Sequence, residues 1–140
     1  MLDESRIRTG IKVNSWQDAI RSAGEILVAA KSCKPSYVDA MVDAVLELGP
    51  YIVITPHVAL AHARPSSHVI KADMSLAILE KGVDFNSVAN DPVKVVFAFC
   101  ATNTEAHLQH LQSLATKLNP EIIAQLSTAK SVKEVVTILS

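Results

Sequence analysis

The apolar residues change their spacing twice along the chain, at Gly49-Pro50 and again after Asn103, and these changes leave few folds open. Before the first change, Trp16, Ala19, Ile20, Ala23, Leu27 and Ala30 recur at helical spacing and predict one apolar helix face. Ser15 is placed to cap that helix, with Asp18 in its first turn favouring the positive end of the dipole. Lys34-Pro35 breaks it. Pro35 and Ser36 then open a second helix, with Met41, Val42, Val45 and Leu46 turned inward and Gly49-Pro50 as its stop.

Between the two changes the period shortens. Tyr51–Ile54 and Val58–Ala61 are short β-type runs, and Ala72–Leu79 and Val93–Cys100 are longer apolar ones. Turn residues bound them at Gly82, Asn86, Asn90-Asp91-Pro92 and Asn103, so all four are expected as strands. After Thr104, Leu108, Leu111, Leu114 and Leu118 restore helical spacing. Two short helices are expected beyond Asn119-Pro120, near Glu121–Ser127 and Ser131–Leu139. Helices at both ends of a chain with a central sheet predict an α/β sandwich. At 140 residues, 1–140 is expected to form one domain.

Composition narrows the function classes. Hydrophobic residues make up 49% but aromatics only 4%, so the core must be aliphatic and base-stacking platforms are not expected. A net charge of -1 lacks the basic excess of a nucleic-acid binder. The longest stretch free of Asp, Glu, Lys and Arg, Leu48–Ala63, is interrupted by Gly49, Pro50 and Pro56, so membrane insertion is not expected. The Met-Leu-Asp-Glu-Ser start has no apolar run, and Cys33 and Cys100 form no disulfide framework; a cytoplasmic protein is expected. No Gly-rich phosphate loop or G-x-S-x-G elbow is present, which disfavours a nucleotide-binding kinase and any bound cofactor.

Chemistry is concentrated in five histidines, at 57, 62, 68, 107 and 110. His62 follows the Val58–Ala61 run and precedes Ala63-Arg64-Pro65. That places an imidazole at the sheet rim, beside a small residue that leaves room for a phosphoryl group. Arg64 offers charge-assisted donors to such a group's oxygens; the ordinary alternative is a loop histidine beside a surface arginine. With Thr104 as N-cap, His107 falls third in its helix, near free backbone N–H groups that favour an anion. The local pattern fits two roles for it equally: a hydrogen-bond donor to a phosphoryl group or positioner of the nucleophile, and a half-buried imidazole bonded to a carbonyl. His107 and His110 have His-x-x-His spacing, but no H-E-x-x-H acid and no nearby cysteine accompany them, so no metal is expected.

Around these residues the sequence resembles a known family. Glu47, Ile54, Val58, Ala59, Leu60, His62 and Ala63 are similar to the active-site signature of enzyme IIA of the bacterial phosphotransferase system, mannitol/fructose class. Thr55 stands where the signature has a small residue, and Ala61 where it has proline. Glu105-Ala-His107-Leu-Gln-His-Leu-Gln-Ser-Leu114 resembles the family's second histidine element. Leu48-Gly49-Pro50-Tyr51, Ala61-His62-Ala63-Arg64-Pro65, Asp84-Phe85-Asn86 and Asn90-Asp91-Pro92-Val93 are most similar to the L-ascorbate branch.

The resemblance implies a small mixed sheet flanked by helices on both sides, a three-layer sandwich. It implies that His62 is phosphorylated by the histidine phosphocarrier protein, that His107 assists, and that the group passes to a cysteine of enzyme IIB. Enzyme IIC would be served indirectly, no metal or cofactor would take part, and a homodimer is allowed. An apolar rim of Pro56, Val58 and Pro65 is expected around His62 for these partners. The alternative within the family is a regulatory phosphoacceptor of the nitrogen-regulatory type, with no transported sugar. A metal-dependent hydrolase using the histidines is the reading furthest from both.

Overall fold

The computed structural model describes residues 2–140. A single 3-10 turn, Glu4–Arg6, leads into β1 (Ile7–Ile11), which is followed by α1 (Trp16–Ala29) and α2 (Pro35–Leu48). Four strands come next: β2 (Val53–Thr55), β3 (Val58–Ala61), β4 (Asp73–Val83) and β5 (Val93–Cys100). The chain closes with α3 (Thr104–Lys117), α4 (Pro120–Thr128) and α5 (Val132–Leu139).

The five strands form one sheet in the order β1-β4-β5-β3-β2. β1 runs parallel to β4, and β3 parallel to β5, while β4/β5 and β2/β3 are antiparallel. Period-two alternation divides the sheet between two cores. Ala59, Ala61, Val96, Ala98 and Cys100 pack with α1 and α2 on one face. Leu60, Val95, Phe97 and Phe99 pack with Leu114, Ile123, Leu126 and Val135 from α3, α4 and α5 on the other. With both faces covered, β3 is buried along its whole length and β5 nearly so, which is why these strands read as continuous apolar runs. The mixed three-layer α/β sandwich is the expected architecture.

Local details differ. β1 has no counterpart in the sequence reading, because Ile7-Arg-Thr-Gly-Ile11 buries only one of its five residues fully and carries little apolar signal. β2 begins at Val53 rather than Tyr51, since residues 51 and 52 are taken up by the turn that leaves α2. The Ser15 side chain accepts from the Asp18 N–H at 3.1 Å, as expected for the α1 cap. The cap of α3 is Asn103, whose side chain accepts from the Ala106 N–H at 2.8 Å, so Thr104 is the first helical residue and not the cap.

Candidate active site

β3 carries His62 to its place. Its partner residue in β5 advances with it, Ala61 facing Ala98 across the parallel pair, so His62 emerges just where β5 reaches Phe99. Alternation turns His62 toward the same face as Leu60 and Phe99, the face covered by α3. There the imidazole lies flat on Phe99, with ring centroids 4.9 Å apart and planes 14° from parallel. His107, from the first turns of α3, meets it at 5.1 Å and 69°. The sequence-derived pair is therefore one site.

One hydrogen bond fixes the tautomer of His62. Nδ1 lies 2.7 Å from the carbonyl oxygen of Leu60, which can only accept. Nδ1 therefore carries the proton and donates, and Nε2 keeps its lone pair. Burial pushes the His62 pKa below the ordinary histidine value; the Leu60 bond opposes the shift and neighbouring His107 adds to it. The ring is neutral at neutral pH, with the lone pair of Nε2 free.

His107 is fourth in α3 rather than third, a consequence of the Asn103 cap, and its N–H already donates to Asn103 O at 3.2 Å. The helix-end contribution at this position must come from its side chain. Its Nδ1 is buried without a partner, and burial pushes its pKa down as well. A buried unpaired acceptor is tolerated better than a buried unpaired N–H. The proton belongs on Nε2, toward the cavity that His107 lines.

That cavity is open and measures about 1200 Å³. His62, Ala63, Arg64 and Pro65 form one wall, the Thr102–Thr104 entry to α3 another, and Asp43, Glu47 and Leu48 of α2 a third. Arg64 is exposed there and has no ion-pair partner among the described residues. The expected apolar rim is corrected in part: Pro65 lines the cavity, but Val58 is fully buried in the sheet and Pro56 lies outside the lining. Leu48 and Tyr51 take their place.

The remaining histidines separate by position. His68 lines the cavity, its Nδ1 2.7 Å from the Ser36 hydroxyl. His110 packs behind the site against Phe99, at 5.7 Å. His57 sits before β3, at the opposite end from His62, bonded to Pro92 O at 2.7 Å. No group of three or more His, Cys, Asp or Glu among the described residues is placed to hold a metal ion.

Tyr37 and Phe99 were not singled out by sequence reasoning, because each reads as an ordinary core residue. The fully buried Tyr37 hydroxyl accepts from the Ala63 N–H at 3.0 Å and donates toward Phe99 O and Ala63 O, at 2.9 and 3.1 Å. It ties the residue after His62 to the strand that carries Phe99. Tyr37→Phe strands a buried N–H, and should cost about 1–3 kcal/mol of stability. Thermal denaturation of the variant checks this: an unchanged midpoint would mean that the hydroxyl holds nothing.

All 140 residues match the family described as phosphoenolpyruvate-dependent sugar phosphotransferase system, EIIA 2. The chain belongs to this family. An ascorbate-specific EIIA component of Salmonella choleraesuis is 36% identical over 107 residues, covering 76% of this chain and 70% of that one. The crystal structure of IIA mannitol from Escherichia coli superposes with a TM-score of 0.89 at 31% identity, over 100% of this chain and 99% of the other. The complex of IIA mannitol with phosphorylated IIB mannitol from the same organism gives 0.86 at 29% identity, over 99% and 96%. As an EIIA component of the sugar phosphotransferase system, the protein is a phosphotransferase.

Proposed function

We propose that Nε2 of His62 takes a phosphoryl group from the histidine phosphocarrier protein and gives it to a cysteine of enzyme IIB, in uptake of an L-ascorbate-type sugar through enzyme IIC. The observation that carries this reading is the Nδ1–H bond to Leu60, which leaves Nε2 unprotonated at an open cavity beside His107. In the forward step the Nε2 lone pair forms the new nitrogen–phosphorus bond, and the phosphoryl donor's bond to the group breaks, its electron pair staying with the donor. The imidazole gains positive charge as the bond forms, and the Leu60 carbonyl on Nδ1–H stabilises it. Onward transfer reverses the roles, with a thiolate attacking phosphorus and the neutral imidazole leaving.

Such transfers need alignment and charge stabilisation at the equatorial oxygens more than covalent help. His107 and Arg64 are the groups that supply it. The ascorbate assignment is supported by the relatives at 36% identity that carry that name. A cytoplasmic location is part of the same reading and is supported by membership of the EIIA family. Among the described residues, no helix is long and apolar enough to cross a membrane.

The test is phosphorylation from phosphoenolpyruvate through the general phosphotransferase proteins, with the modified atom mapped and enzyme IIB then added. Label on His62 that moves to an enzyme IIB cysteine is the expected result. Label that stays on the chain with every enzyme IIB encoded nearby would favour a regulatory acceptor. Arg64 provides a second check. Losing one charge-assisted donor costs about 1.5–3 kcal/mol, so Arg64→Ala should slow transfer roughly ten- to a hundredfold. Arg64→Lys should keep part of the rate, having the charge without the fork. Wild-type rates in Arg64→Ala would make Arg64 a surface charge only.

A further inference from the structure

We propose that Tyr51 is a positioning residue whose ring, together with the Phe99 stack and His107, holds the His62 imidazole with Nε2 outward. This deepens the reading of His62 as phosphoryl acceptor and rests on it. The second side-chain torsion of histidine is soft and roughly two-fold, so covalent geometry does not choose which nitrogen faces the cavity. The Leu60 hydrogen bond selects one orientation, and a half-turn of the ring would break it and displace Nε2. Neighbouring rings that hinder the turn hold the selected orientation. Phe99 covers one face, His107 approaches at 69°, and Tyr51 meets the ring nearly perpendicular, at 5.5 Å and 87°.

The placement of Tyr51 is built into the turn. Gly49, at φ +87, takes a backbone conformation that a side chain would strain, and its N–H still closes α2 on Val45 O at 2.8 Å. The Tyr51 N–H then donates to Gly49 O at 2.9 Å, and the Val53 N–H to Pro50 O at 3.1 Å, before β2 begins. Ile52 enters the core, whereas Tyr51 remains 43% exposed and belongs to neither core cluster. A large aromatic ring left out of the core and set against the reactive imidazole is better explained by the site than by the fold.

The experiment compares Tyr51→Ala with Tyr51→Phe, reading phosphoryl acceptance by rapid mixing and the His62 imidazole by nitrogen-15 NMR. The charged and titratable groups sharing the His62 environment are His107 from α3, Arg64 after β3, Asp43 and Glu47 from α2, and His68. All of them are retained in both variants. Tyr51→Ala should accept phosphate about tenfold more slowly, the scale of one lost aromatic contact at a reacting group. Its His62 should also titrate closer to the ordinary histidine value, because part of the burial that lowers it is gone. Tyr51→Phe should restore both readouts. An alanine variant with wild-type rate and titration would overturn the clamp. So would a phenylalanine variant as slow as alanine, which would assign the effect to the hydroxyl. If the wild-type chain took no phosphate on His62, the acceptor reading would fail, while the NMR comparison on the unmodified chain would still decide the clamp.

Discussion

His62→Ala should leave a folded chain that takes up no acid-labile phosphoryl group. The imidazole is the proposed acceptor, and it is half-buried at the end of β3 rather than packed within the sheet. Its loss removes the stack on Phe99 and the bond to Leu60, but β3 keeps its register with β5 through Val58–Ala61. Circular dichroism should therefore be unchanged while labelling falls to background. The wild-type pH profile follows from the same environment. Attack requires the neutral ring, and burial holds the folded-state pKa below about 6.5, the ordinary value. Acceptance should stay level as pH falls from 8 to about 6.5, and decline only below that. Label found on His57 or His68 in the wild-type chain would overturn the assignment.

Much of this site was legible in the sequence, for reasons that differ by residue. His62 could be found because the buried run before it and the small residue after it mark a strand leaving the sheet. His107 could be found because capping residues and helical spacing fix where α3 begins to within one position. That one position mattered: with Asn103 as cap, the His107 N–H is committed to the helix, and only its ring is left to act.

What was not legible is the packing across the layers. Tyr37 and Phe99 are apolar by pattern, and their role depends on a hydroxyl meeting Ala63 and a ring meeting His62 from elements distant in sequence. Tyr51 reads as the first residue of a strand, and its place against His62 follows from the Gly49 turn that delays β2 to Val53. β1 escaped because an edge strand with one fully buried residue lacks the apolar signal that marked its neighbours. Hydrophobic period identifies what is buried; it is silent on which buried groups touch the reacting atom.

The same distinction separates the two central histidines and yields the second large effect. His62 and His107 are close enough to exchange roles, with centroids 5.1 Å apart, and burial lowers both pKa values. Their hydrogen bonding is not equivalent. His62 spends its N–H on Leu60 and leaves a lone pair outward, whereas His107 has a buried, partnerless Nδ1 and so keeps its proton on the cavity side. A ring that presents N–H cannot attack phosphorus, but it can donate to the phosphoryl oxygens as the group moves. His107 should therefore never carry the label. His107→Ala should slow both acceptance and donation by roughly a hundredfold, the scale of one lost donor at a developing charge. His107→Gln retains an N–H donor and should lose less, within about tenfold of wild type. Single-turnover kinetics with phosphorylated chain and enzyme IIB would measure this directly. Equal, wild-type rates for the two variants would reduce His107 to a packing partner of Phe99. Label on His107 in the wild-type chain would mean that the tautomers are assigned the wrong way round.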